Sequence, residues 1–162
     1  MGPGEKICAG ARAQLVDPAR YDANYRALAY PHGDVIPERG ACSDVVIRAF
    51  RSAGYDLQVL IHEDRKAAGL PTDTNIDHRR VKNQAAFFLR HGRSLTVSTR
   101  DPSKWHPGDV VYWILDSGLD HTGIVISKRG ASGLQLIVHN LAVVKAEDVL
   151  DKWKIVGHYR YP

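Results

Sequence analysis

The sequence predicts an α+β fold in which helices come first and an antiparallel sheet second. Up to His91, apolar residues recur three and four positions apart, the spacing of amphipathic helices. Beyond His91, short runs rich in Val, Ile and Tyr are separated by Gly-containing turns, and such short links join antiparallel neighbours. Nothing among the 162 residues reads as a linker, an internal repeat or a low-complexity tract, so a single domain over residues 1–162 is expected.

Residues 5–16 predict the first helix, stopped at Asp17-Pro18 because the residue before a proline is pushed out of the helical region. Tyr21 to Pro37 follows as an aromatic, Pro- and Gly-bearing loop. It delivers the chain to a helix that starts at Cys42 and stops at Gly54, with Val45, Val46, Ala49, Phe50 and Ala53 as its apolar stripe. Asp56 is expected to cap the next helix, which passes through Leu57, Leu60 and Ile61 and ends near Gly69-Leu70-Pro71. The polar stretch Thr72 to Arg80 leads into a helix through Val81, Ala85, Phe88 and Leu89, closed by Gly92, with Asp77 as its expected cap. In the second half Ser94 to Ser98, Val110 to Leu115, His121 to Ser127, Leu134 to His139 and Lys154 to Tyr161 read as strands of a sheet of about four or five strands.

Composition narrows the function classes. With 44% hydrophobic and 25% charged residues the chain can bury a sizeable core. A net charge of +4 suits anionic partners, but the basic residues are scattered and no aromatic-interleaved basic run marks a nucleic-acid surface, so no nucleic-acid partner is expected. An anionic polymer such as a bacterial wall fits that charge equally well. No apolar stretch is long enough to span a membrane, and a monomer is expected. Met1-Gly2-Pro3-Gly4 reads as a cloning remnant, which would place a natural export signal upstream of the sequence. Of the two cysteines, Cys8 falls on an apolar stripe with Ile7, Ala11 and Leu15 and reads as a packed free thiol.

Cys42 carries the first chemical signal. It opens its helix on the same face as the apolar stripe, so the thiol points at whatever that helix packs on. A helix N-terminus favours thiolate over thiol and is expected to bring the Cys42 pKa from about 8.5 into the range of roughly 3.5–7.5 when a histidine assists. His121 opens one strand and His139 closes the next, and antiparallel pairing brings such positions side by side. With the Cys42 helix on that sheet, His121 would take the thiol proton and later protonate a leaving amine, while His139 would hold the other ring nitrogen of His121 and fix its tautomer. The backbone N–H of Cys42 would donate to the oxyanion of an acyl-transfer intermediate. No cofactor or metal is needed for this chemistry.

The second signal is Asn75-Ile76-Asp77-His78-Arg79-Arg80. Adjacent guanidiniums can clamp a carboxylate bidentately, so Asp77, His78 and Arg79, with Arg80, are expected to form a recognition loop at the edge of the cleft. A capped helix start with two solvated arginines is the alternative.

A Cys at a helix start, then Pro107-Gly108-Asp109-Val110-Val111-Tyr112-Trp113, then His121-Thr122-Gly123-Ile124-Val125, then Val138-His139-Asn140, resembles the NlpC-type papain-like cysteine peptidases that cut bacterial cell-wall peptides. Gly33 to Ala49, Asn75 to Val81 and Gly157-His158-Tyr159-Arg160-Tyr161 resemble more closely, and nearly end to end, a bacterial domain-of-unknown-function family that includes the YijF protein. The resemblance implies a papain-like α+β fold, Cys42 as nucleophile, His121 as base and His139 as third member. It further implies Tyr30 as the tyrosine that lines the site, peptidoglycan peptides as substrate and a periplasmic or secreted location. Ser43 and Asp44, directly after the nucleophile, are assigned to the substrate side. The common Asp-Cys-Ser-Gly is replaced here by Ala41-Cys42-Ser43-Asp44, so the acid that holds a substrate amine in some members is missing.

Two other readings stay open. Eight histidines, with His121, His139 and His158 on expected strands, would suit a zinc hydrolase, although no close-spaced pair such as His-x-x-x-His supports it. A wall-binding module that has lost activity on the same scaffold is the other, since fold does not guarantee function.

Overall fold

The computed structural model describes all 162 residues and is α+β. Four helices, α1 (Pro3–Ala13), α2 (Cys42–Ser52), α3 (Leu57–Ala67) and α4 (Val81–His91), precede most of the sheet. The strands are β1 (Arg20–Tyr21), β2 (Arg39–Gly40), β3 (Arg93–Ser94), β4 (Val110–Ile114), β5 (Asp120–Arg129), β6 (Gln135–Asn140), β7 (Val144–Glu147) and β8 (Lys154–Arg160). Six of them form one sheet in the order β3-β8-β4-β5-β6-β7, with every neighbouring pair antiparallel. β1 and β2 form a separate two-residue parallel pair that ties the first loop to the segment before Cys42.

The sheet is larger than the four or five strands expected because β7 joins as an edge. Its sequence, Val-Lys-Ala-Glu, carries little strand propensity, and backbone pairing with β6 organises it. Of Ser94 to Ser98 only the beginning, as Arg93–Ser94, pairs with β8. α1 begins at Pro3, with the Glu5 carboxylate accepting from the Gly2 N–H at 2.9 Å. Asp56 caps α3 as expected, accepting from the Gln58 N–H at 3.1 Å. Asp77 does not cap α4: it opens a 3₁₀ turn, Asp77–Arg79, and its carboxylate accepts from the Asp73 N–H at 2.6 Å. Arg80 holds the cap position of α4 without a side-chain bond.

Alternation along the strands divides the core. Val110, Tyr112, Ile124, Ile126 and Val138 face the helices and pack with Ile7, Val45, Val46, Phe50, Ile61 and Phe88. Val111, Trp113, Val125 and Ile137 face the other way and pack with Trp105, Val149 and Leu150. Cys8 is a free, buried thiol in the first of these clusters, as its stripe implied. No helix is long and apolar enough to cross a membrane.

Candidate functional site

Cys42 is the first residue of α2, directly behind the β2 residue Gly40 and the N-cap Ala41. Asp44 closes the helix start by accepting from the Ala41 N–H at 2.7 Å, so the turn that presents the thiol is fixed by its own third residue. The thiol is 4% exposed. Burial pushes it up to about 11, an effect that the N–H groups of Thr122 and Ser43 only partly offset and that the Asp44 charge reinforces. This corrects the expectation of a depressed value: at this buried helix end desolvation outweighs the partial charge of the N-terminus. So buried, the Cys42 side chain is a neutral thiol.

His121 and His139 are joined, Nε2 of the first lying 2.8 Å from Nδ1 of the second. They are not directly opposite. Ile124 pairs with Val138 and Val125 with Ile137, so the two histidines are diagonal neighbours on one face, while Trp113 is the direct partner of His121. Gly123 makes that diagonal approach feasible, because a Cβ there would come within 3.1 Å of the His139 Cβ and 2.6 Å of Ile137. Trp113 stacks on His121 with centroids 5.4 Å apart, and Trp153 meets it edge-on at 5.6 Å. In these indole walls burial drives the His121 pKa down to about 3, and His139 adds to the effect. His139 is lowered by burial too, although Glu147 opposes the shift.

Glu147 is the residue that the sequence reading missed. Its carboxylate lies 2.8 Å from His139 Nε2, so the pair continues as His121–His139–Glu147 to the exposed edge of the sheet. The Cys42 thiol comes to the N–H of Thr122, the residue after His121, and no hydrogen bond joins sulfur to imidazole. Strand alternation explains the offset: Thr122 faces α2, whereas His121 shares the Trp113 face, so the thiol meets the backbone at the start of β5 and not the imidazole.

The residues expected to meet substrate are distributed differently. Arg79 is buried and its fork is taken: Nε and one terminal nitrogen donate to Asp44 at 3.0 and 2.9 Å, and the other terminal nitrogen donates to the Asn24 carbonyl at 2.9 Å. Arg79 and Asp44 are therefore a buried ion pair that ties the first loop to α2, not a free clamp, and Arg80 beside them is exposed. His78 is buried, which brings its pKa down to about 4, and its carbonyl and that of Ser43 both accept from Gln84, at 2.9 and 3.1 Å. Asp77 is turned toward Arg65 and the Asp73 backbone. Tyr30 packs edge-on against His62 at 5.3 Å, with Asp56 and Glu63 as its charged neighbours. The tyrosine near Cys42 is Tyr21, whose hydroxyl lies within the fields of Cys42, Asp44 and Arg79. β1 brings it there, and so short a strand leaves no periodicity to read.

A family model described as Domain of unknown function (DUF1287) matches residues 8–161. The chain belongs to this family. It is similar to "Uncharacterized protein YijF" of Escherichia coli (strain K12), with 47% identity over 165 aligned residues that cover 96% of this chain and 80% of that protein.

Within this family member the three strand histidines do not converge. His158 lies on β8, with Nε2 2.6 Å from Asp109 and Nδ1 2.7 Å from the Thr96 carbonyl, and it stacks on Trp105 at 3.6 Å. No group of three His, Cys, Asp or Glu side chains gathers in a geometry that would hold a metal ion.

Proposed function

We propose that this DUF1287 chain is a cysteine hydrolase with a papain-like fold of the NlpC type, cleaving an amide bond in the peptide part of bacterial peptidoglycan. The observation that carries the reading is the bonded imidazole pair, walled by indoles, with the thiol of a helix-start cysteine against the N–H of the residue next to His121. A buried, neutral imidazole with one free nitrogen, one residue along the strand from the N–H that meets a buried, neutral thiol, can serve as a general base once substrate brings the two together.

As the peptide enters, the thiol proton passes to His121 Nδ1 and the thiolate sulfur attacks the carbonyl carbon. The oxyanion is met by the Cys42 N–H at the free end of α2. His121 then returns the proton to the leaving amine, and water hydrolyses the thioester. The exposed Arg20 and Arg39, paired across β1 and β2 along a cavity of about 610 Å³, take the substrate-facing role expected of Arg79, and Tyr21, next to Arg20 and within the field of Cys42, takes that expected of Tyr30. Peptidoglycan as substrate implies a periplasmic or secreted location. Incubation with purified muropeptides and mass spectrometry of the products tests the reading: new fragments with free amine and carboxyl ends are expected, and an unchanged muropeptide profile would contradict it.

A further inference from the structure

The 2.8 Å contacts along His121, His139 and Glu147 have a direction as well as a length. A carboxylate only accepts hydrogen bonds, so the His139 nitrogen that faces Glu147, Nε2, carries the proton. A neutral His139 protonated on Nε2 has its lone pair on Nδ1, and that lone pair faces His121 Nε2. His121 Nε2 must then donate, which leaves the lone pair of His121 on Nδ1, the nitrogen with no protein partner. Both rings are nearly inaccessible, at 1% exposure each, so the neutral forms this chain requires are the ones that burial favours.

We infer that Glu147 is a positioning residue which sets the tautomers of both histidines, and so selects His121 Nδ1 as the atom that accepts the Cys42 proton. The use of that proton acceptor rests on the cysteine-hydrolase reading; the tautomers do not. Without Glu147, His139 faces water at Nε2 and can bind either way round. In the reversed sense His139 Nδ1–H donates to His121 Nε2, His121 Nδ1 carries the hydrogen, and no lone pair is left for the thiol. Glu147 has a second effect once the S–H bond has broken and the N–H bond at His121 has formed. Its negative charge, two hydrogen bonds away, offsets the imidazolium in a site where Lys145, the cross-strand partner of His139, and Lys152 both oppose positive charge.

The experiment is nitrogen-15 NMR of the imidazoles at pH 7 to 8, which needs no substrate. Wild-type protein should show both His121 and His139 protonated on Nε2. Glu147→Gln, which keeps an oxygen to accept from His139, should preserve that pattern, and Glu147→Ala should lose it. Glu147 sits at the exposed sheet edge, so both variants should fold, and the wild-type spectrum alone is decisive if either does not. With a cleavable peptide in hand, Glu147→Ala should lower kcat by about 10- to 100-fold with little change in KM, as for other partners that orient an imidazole, and Glu147→Gln should recover most of the loss. A hydrogen on His121 Nδ1 in the wild type, or an unchanged tautomer pattern in Glu147→Ala, would overturn the inference. The expected tautomers without peptide cleavage would leave the relay standing and contradict the hydrolase reading.

Discussion

The sheet holds two buried histidine–acid systems, and they are built to opposite ends. In the first, His121 is bonded to His139 and His139 to Glu147, with an acceptor at one end of the chain and an open nitrogen at the other. In the second, His158 lies between the Asp109 carboxylate at 2.6 Å and the Thr96 carbonyl at 2.7 Å, so both ring nitrogens are engaged. Arg160 completes that second system with two bonds to Asp109, at 2.6 and 2.8 Å. Burial alone would raise the Asp109 carboxyl, but the bonds from Arg160 and His158 and the His106 N–H hold it below the usual carboxylate range. The difference teaches how to tell a histidine with an open nitrogen from a fully engaged one when both are buried. Both ring nitrogens of His158 are engaged by protein groups, whereas His121 keeps one nitrogen without a protein partner, in a chain whose last member reaches solvent.

The largest expected effect separates the two systems by turnover. His121→Ala should lower peptide cleavage by several orders of magnitude, on the scale of about 10²–10⁴ for a lost general base, whereas His139→Gln should keep a substantial part because the amide oxygen still accepts from His121. Equal and total loss in both variants, measured as kcat/KM on one muropeptide, would show that His139 does more than orient its neighbour.

Stability should separate them in the reverse sense. Asp109→Asn leaves His158 and Arg160 without their common anion in the interior and should cost about 3–5 kcal/mol in urea unfolding. Glu147→Gln, at the exposed edge, should cost less than about 1 kcal/mol. Similar midpoints for the two variants would erase the distinction.

Arg79→Lys probes the ion pair beside Cys42. Loss of the fork around Asp44 should cost about 1–3 kcal/mol and weaken turnover of free-acid and amidated stem peptides by the same factor, because the guanidinium touches Asp44 and not the substrate. If the loss disappears with the amidated peptide, Arg79 does meet a substrate carboxylate.

The smallest effect is graded with pH. His121 and His78, displaced from 6.5 to about 3 and about 4, are neutral in the fold and gain protons more readily once unfolded. Their contribution is complete above pH 6.5 and is lost as the pH falls toward those values, at about 1.4 kcal/mol per unit for each group. Cys42, displaced from 9.0 to about 11, behaves in the opposite sense: its contribution is complete below pH 9 and is lost as the pH rises toward 11. Urea midpoints of wild type and His121→Asn between pH 3 and 7 should show a shallower acid decline in the variant, and parallel curves would place the decline elsewhere.

What was legible in the sequence follows the range of the signal. The start of α2 at Cys42, the cap at Asp56 and the strands carrying His121 and His139 were readable because periodicity, capping and turn residues are local. Glu147 was not, because Val144–Glu147 is short, polar on alternate positions and strand-like only against β6. Two adjacent arginines suggested a clamp, but the partner that claims Arg79 is Asp44, 35 residues away on another helix. Tyr21 and Tyr30 look alike in sequence, and β1, a long-range pairing of two residues, is what brings Tyr21 near Cys42. The helix start at Cys42 signalled a reactive thiolate; only the packed structure shows how fully burial opposes it.

The central claim is that Cys42 is the nucleophile of an amide hydrolase, and Cys42→Ala tests it most directly. The substitution replaces one small buried residue with another, so the melting temperature should change little while release of new amine ends from purified muropeptides, followed by mass spectrometry, falls to background. Muropeptide cleavage by Cys42→Ala at the wild-type rate would contradict the account.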